Sequence, residues 1–247
     1  MTDITHDDNG LVDTTAATLA CSEDQALSSD LGSDPGYNFS SDVYILSRPR
    51  SPQAESISEL RAQLNSQHIR DGRRSVAICA ATSGVGSTFL SVNLAVAMAL
   101  AGKRTLLIDA NLRSPGVHKY ITPPGPAHGL INHLLDDPDS DGIVVHSDII
   151  PNLSVIYAGT GEGVPQELVA GRRFSEVINK GMRSHEFTVV DTPPANEFSD
   201  YLGISVIAGY ALLVARKDLT RVADLKTVAG MLLADRVRLV GAFMNVF

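Results

Sequence analysis

Cysteine is nearly absent: Cys21 and Cys79 are the two in 247 residues, one in a polar stretch and one in an apolar run. That excludes a disulfide framework and a thiolate-based zinc site, and it fits a reducing compartment. Basic residues are missing before Arg48, whereas nine acids lie between Asp3 and Asp42. Beyond residue 47 the balance is 20 basic against 19 acidic residues, so the formal charge of −8 belongs to the beginning of the chain. The remaining 200 or so residues carry no broad basic face, and no nucleic-acid partner is expected. The first ten residues lack the basic-then-apolar order of a secretory signal, which leads us to expect a cytoplasmic protein.

Charge is also missing from Ser75 to Gly102, a run long enough to raise the question of a membrane span. The polar interruption Thr82-Ser83-Gly84-Val85-Gly86-Ser87-Thr88 divides it, and the remaining apolar segment, Phe89 to Ala101, is shorter than the ~20 residues a spanning helix needs. A buried helix is the better reading. Residues 1–50 are rich in Asp, Ser, Thr and Gly, poor in large aliphatics and without periodicity. Such a segment buries too little surface to offset its ordering entropy, so a disordered acidic tail is expected there and one folded domain over 51–247.

Within that domain, Ala54 to Leu64 has the spacing of a short amphipathic helix with Ile57, Leu60 and Leu64 on one face. Buried strands are expected at Ser75 to Ala80, Arg104 to Asp109, Leu153 to Tyr157, Phe187 to Asp191, Tyr210 to Ala215 and Leu239 to Asn245. Helices are expected at Thr88 to Ala101, near Gln166 to Met182 and at Arg221 to Leu233. This alternation predicts an α/β fold, a mostly parallel twisted sheet with helices on both faces.

The turn from the first core strand to its helix, Ala80 to Thr88, is glycine-rich. Backbone N–H groups and a helix N-terminus could surround an anion there, although such turns also arise for steric reasons. Two acids, Asp109 and Asp191, end buried strands on the edge where parallel sheets bind ligands. Together with the Thr88 hydroxyl they could hold Mg²⁺ beside a terminal phosphate; each acid alone could equally be a cap or loop residue.

The segment Leu106-Leu107-Ile108-Asp109-Ala110-Asn111-Leu112-Arg113-Ser114-Pro115, followed by His118-Lys119, resembles the second Walker element of bacterial tyrosine kinases of capsular and exopolysaccharide synthesis. Pro151-Asn152-Leu153 with Ala158-Gly159, Glu167-Leu168, Arg173-Phe174 and Val189-Val190-Asp191-Thr192-Pro193-Pro194 come next in family order, so the resemblance runs from about Glu55 to Phe247. The septum-positioning and chromosome-partitioning ATPases share the loop and the two acids. The resemblance implies a P-loop fold that binds ATP or ADP with Mg²⁺. It gives phosphate contacts to Gly84, Val85, Gly86, Ser87 and Thr88 and metal ligation to Thr88, Asp109 and Asp191. It makes Asp109 and Asp191 the catalytic acids and Asn245 the residue that reads the base; an ordinary turn asparagine is the alternative for Asn245. It further implies a membrane polysaccharide co-polymerase as partner, recruitment to the inner face of the membrane, and possible self-association.

The chain departs from that pattern at Ser87, where the family has the loop lysine. A hydroxyl brings no positive charge, and a charge-stabilising contact of this kind is worth about 3–4 kcal/mol of barrier. The second acid of the Walker element is Asn111, which removes a negative charge from the expected metal shell. The chain has no C-terminal run of tyrosines, and Tyr37, Tyr44 and Tyr120 are the residues of that type expected to be most exposed. The family's Glu-x-x-Arg-x-x-Arg oligomerisation motif has counterparts at Glu55, Ser58 and Arg61, with the middle arginine replaced. These departures lead to the expectation of a pseudokinase acting as a regulatory or scaffolding component. An active tyrosine autokinase or ATPase is the alternative, with Arg113 and Lys119 as candidate replacement cations.

Overall fold

The computed structural model describes residues 36–69, 72–126, 128–135 and 142–246. Seven strands form the central sheet: β2 (Ser75–Ala80), β3 (Thr105–Asp109), β5 (His146–Ile150), β6 (Leu153–Ile156), β7 (Phe187–Asp191), β8 (Tyr210–Arg216) and β9 (Arg238–Asn245). Their order across the sheet is β5-β6-β3-β7-β2-β8-β9. All pairings are parallel except that of β5 with β6. Central strands are buried on both faces, which is why β2, β3 and β7 read as continuous apolar runs.

Alternation along each strand assigns the two faces. Val76, Ile78, Leu107, Phe187, Val189, Leu212 and Val214 share one core with α2 (Pro52–Leu64) and α3 (Ser87–Leu100). On the opposite face Leu106, Ile108 and Val190 meet Leu130 and Leu134 of α4 (Leu130–Leu135), Val169 of α5 (Pro165–Ala170), Phe174 and Ile178 of α6 (Arg172–Ser184), and Ile204 of α7 (Asp200–Ala208). There too, Ala77, Cys79, Ala211 and Leu213 meet Tyr201 of α7 and Val228 and Leu232 of α8 (Val222–Ala234). Every residue of α3 from Phe89 to Ala99 is buried, as expected for a core helix. No helix among the described residues is long and apolar enough to cross a membrane.

The α/β architecture agrees with the sequence expectation, and several boundaries move. The stretch expected as tail up to residue 50 is ordered from Gly36: β1 (Asn38–Phe39) pairs antiparallel with β4 (Ile121–Thr122), and α1 (Tyr44–Ser47) comes directly after Val43, which is wholly buried. Tyr37, Phe39, Tyr44 and Ile45 pack on the α3 core, so a few aromatics anchor a segment whose average composition is polar. The rest of the expected tail, with Cys21, lies outside the described residues. Tyr37, Tyr44 and Tyr120 are half-buried, not exposed: the Tyr37 hydroxyl is 2.7 Å from His146 Nδ1, and Tyr44 and Tyr120 meet the Phe89 ring edge-on. The helical stretch expected near 166–182 is broken at Gly171 into α5 and α6.

Carboxyl ends of the parallel strands converge on one edge. There the turn into α4 is seated on β6, with the Leu130 and Ile131 N–H groups each 2.8 Å from the carbonyls of Tyr157 and Ala158. A Cβ added at Gly129 would lie 2.1 Å from the Tyr157 carbonyl oxygen and 2.5 Å from the Gly159 nitrogen. Backbone cannot retreat as a side chain can, so Gly129→Ala is expected to destabilise the fold by about 1–3 kcal/mol. The check is a lower urea midpoint with an unchanged slope; an unchanged midpoint would refute the close approach.

Candidate nucleotide site

The loop between β2 and α3 turns on two glycines in the left-handed region, Gly84 (φ 73°) and Gly86 (φ 88°), a conformation that a Cβ disfavours. Gly86 is the N-cap of α3 and no side chain caps that end. The first N–H groups of a 14-residue helix therefore point out of its end without an intrahelical acceptor, together with the positive end of its dipole. The Thr82 hydroxyl is buried in the same loop with no hydrogen-bond partner. An uncapped helix end, a glycine-built turn and an orphaned hydroxyl fit a bound phosphate.

Beside the loop, Asp109 and Asp191 are neighbours in the β3–β7 register and both wholly buried. Thr88 Oγ1 donates to Asp191 Oδ2 at 2.6 Å, and Ser91 Oγ lies 2.9 Å from Oδ1. Ser91 was not anticipated. Its signal was its place three residues after Thr88, on the same face of the helix. Asp109 accepts the N–H groups of Gly116 and Val117 on Oδ2, both at 3.0 Å, and that of Asn111 on Oδ1 at 3.3 Å. It thereby gathers the 110–117 loop against the site, where a Cβ at Gly116 would lie 3.0 Å from Thr88 Cγ2. Asn111 turns its side-chain oxygen to the Ser114 N–H at 3.1 Å, so it shapes this loop. Thr88, Asp109 and Asp191 thus lie together beside the loop. The Thr88 hydroxyl and the Asp109 and Asp191 carboxylates are the residues that could hold Mg²⁺ here, and such an ion would screen charge on the outer phosphates.

Asn245 lies at the end of β9, nearly buried, and donates from Nδ2 to the Val85 carbonyl at 2.6 Å and more distantly to that of Gly86. Its neighbour in register, Arg216 at the end of β8, donates from Nη1 to the Gly84 carbonyl at 3.1 Å. Sequence reading overlooked Arg216, although it ends an apolar strand in a charged residue just as Asp109 and Asp191 do. Of the two cations considered as replacements, Arg113 is committed elsewhere: it grips Asp200 through two bonds, 2.7 and 3.2 Å, and lies over the Phe198 ring. Lys119 is exposed and pulls electrostatically on Asp109.

Ser87 leaves the two buried carboxylates without the cation that a lysine there would supply. Burial pushes Asp191 up to about 7, with the Asp109 charge adding to it against the opposing Thr88 and Ser91 bonds. Burial likewise raises Asp109 to about 6, against the three N–H donors. Folded-state values above the unfolded ones mean that the folded protein binds more protons between about pH 4 and 7. The stability linked to these groups is present at acidic pH and is lost as pH rises through 7. In the absence of nucleotide and Mg²⁺, Asp191→Asn is therefore expected to raise the melting temperature at pH 8, by roughly 2–4 °C per kcal/mol relieved. The gain should shrink at pH 5; an equal gain at both pH values would contradict the assignment.

Known proteins resemble this chain in sequence and in fold. The model of the CobQ/CobB/MinD/ParA nucleotide binding domain matches residues 76–242. EpsB of Ralstonia solanacearum is 32% identical over 82% of this chain, which spans 27% of that longer relative. The tyrosine-protein kinase YwqD of Bacillus subtilis is 27% identical over 85% of this chain and 88% of its own length. Among solved structures, the kinase domain of the Escherichia coli tyrosine kinase ETK superposes with a TM-score of 0.74 at 27% identity, over 82% of this chain and 79% of that one. The septum site-determining protein MinD of Pyrococcus horikoshii, complexed with Mg-ADP, shares the fold at a TM-score of 0.58 and 18% identity over 70% of each chain. The chain therefore belongs to the CobQ/CobB/MinD/ParA nucleotide-binding domain family, and its relatives include bacterial tyrosine-protein kinases.

Proposed function

We propose that this protein is a nucleotide-binding pseudokinase of exopolysaccharide synthesis and export, a regulatory or scaffolding component recruited to the inner face of the membrane by a polysaccharide co-polymerase. The observation that carries this reading is Ser87 in a loop whose shape is otherwise kept. Gly84, Val85, Gly86 and Thr88 offer backbone donors, an uncapped helix end and the Thr88–Asp191 pair, which together support binding of ATP or ADP with Mg²⁺. Phosphoryl transfer asks for more, because nearly all of its catalysis is electrostatic stabilisation of charge on the transferring group.

Geometry supports the weak-catalysis reading through the cations as well as through the serine. Arg113 is held by Asp200, whose side chain is 2% exposed; removing its partner would strand a buried charge. Arg216 reaches the loop through a carbonyl oxygen, and carbonyls of a phosphate-binding loop face away from the cradle into which the N–H groups converge. On the surface of α2, Glu55 is exposed and Arg61 is half-buried with Nη1 3.5 Å from the Ala97 carbonyl, so the one arginine retained from the oligomerisation motif contributes to the α2–α3 contact.

Purified protein incubated with labelled ATP and Mg²⁺ is expected to show little or no transfer to tyrosine and little phosphate release. Equilibrium dialysis is expected to show weak nucleotide binding, tightened by Ser87→Lys. Transfer that is robust in the natural sequence and abolished by Asp109→Ala would establish the autokinase reading instead. Deleting the gene should disrupt polymer synthesis, while Asp191→Ala should leave it largely intact. Strict dependence on Asp191 would overturn a role without chemistry.

A further inference from the structure

Helix α8 buries one stripe and leaves an apolar surface outside it. Leu225, Val228, Ala229 and Leu232, at helical spacing, join the core that holds Ala211, Leu213 and Tyr201. Away from such a stripe, a helix at a protein surface is normally polar. Here Val222, Leu233 and Met231 are 66%, 57% and 45% exposed, and Ala223, Gly230 and Ala234 are exposed with them. Lys226 and Thr227 are the polar residues on that side. Large apolar side chains exposed together mark an interaction surface. The same helix and the turn after it carry Asp224, Lys226, Asp235 and Arg236, which form no ion pair among the described residues. Asp235 is the C-cap of α8, where the negative end of the helix dipole disfavours an acid.

We propose that α8 is a contact between two copies of this chain, which pair their α8 helices antiparallel across a two-fold axis near Gly230. The charge order carries this choice of occupant. Asp224 lies six residues before Gly230 and Arg236 six after it; Lys226 lies four before, and Ala234 and Asp235 four and five after. Reversing one copy about Gly230 therefore sets Asp224 against Arg236 and Lys226 beside Asp235, and the two-fold repeats both pairs. Lys226 then brings positive charge to the acid at the helix end. A parallel pairing would set Lys226 against Lys226 and Asp224 against Asp224, which is repulsive. A foreign protein would need the matching order by coincidence, whereas a second copy has it by symmetry. Gly230 agrees with a crossing at that point. No atom lies within 4 Å of the place its Cβ would take, so nothing in its own chain requires glycine there, and glycine weakens a helix interior. Close approach of a second helix at the crossing accounts for it.

Sedimentation equilibrium of the purified full chain tests this without reference to the nucleotide site. A monomer–dimer equilibrium at micromolar concentrations is expected. Gly230→Leu fills open space in the single chain, so it should leave the melting temperature of dilute protein unchanged or raise it. The same change holds the helices apart and should weaken the dimer roughly 10-fold or more. Lys226→Glu and Asp235→Lys each set like charges together across the two-fold and should each weaken association. Their combination restores opposite pairs and should recover most of it, which a folding defect would not do. A chain that stays monomeric up to roughly 0.1 mM would overturn the proposal and leave this face to a different protein. A dimer indifferent to Gly230→Leu would place the contact on another surface. Failure of the double charge reversal to recover what each single reversal loses would overturn the antiparallel register.

Discussion

Two carboxylates buried side by side at the ends of β3 and β7, with no cation inside the neighbouring loop, set the terms for the rest of the molecule. A parallel sheet brings Asp109 and Asp191 into register, and the helices on both faces keep water from them. In such a place an unpaired charge is expensive, and the structure answers with neutral donors: two hydroxyls of α3 on Asp191 and three backbone N–H groups on Asp109. Hydrogen bonds of this kind hold geometry well. They moderate the cost of the charge without cancelling it, which is why both groups sit above the ordinary carboxylate range.

Those donors also give the edge its shape. Because Asp109 binds Gly116 and Val117, the 110–117 loop folds back toward Thr88; because Asp191 binds Thr88 and Ser91, the first turn of α3 is pinned to β7. On the other side of the loop, Arg216 and Asn245 pin its carbonyls to β8 and β9. The glycine turn is thus fastened from both flanks by strand ends, through side chains other than that of Ser87. On the proposed reading, a site fastened in this distributed way would keep its form without the loop lysine.

The sheet was largely legible in the sequence because strands buried on both faces leave uninterrupted runs of Val, Ile, Leu and Ala, as at 75–80 and 187–191. Terminal charges on those runs marked Asp109 and Asp191, whereas Arg216 fell just beyond the strand expected at Tyr210 to Ala215 and closes β8 in the structure. Less legible were elements held by contacts distant in sequence. β1 exists through its pairing with β4, and Tyr37 beside it reaches His146, 109 residues away. Short pieces such as α4, which takes its first bonds from the carbonyls of Tyr157 and Ala158 just after β6, likewise have no periodicity of their own to announce them.

A buried acid pair with no internal counter-charge also bears on what the site is for. If the cleft stayed empty, the protein would carry a standing electrostatic penalty at neutral pH that hydrogen bonds only moderate. An Mg²⁺ ion held by Thr88 and the two carboxylates would supply the positive charge that Ser87 cannot. Because such a cation binds the folded form preferentially, its free energy adds to folding and to the rigidity of the loops it joins. A site of this construction couples occupancy to the order of the 110–117 loop and of the first turn of α3, without requiring that any bond be broken. On the proposed reading, loss of the lysine would remove chemistry and leave intact the contacts by which a bound nucleotide would order these loops.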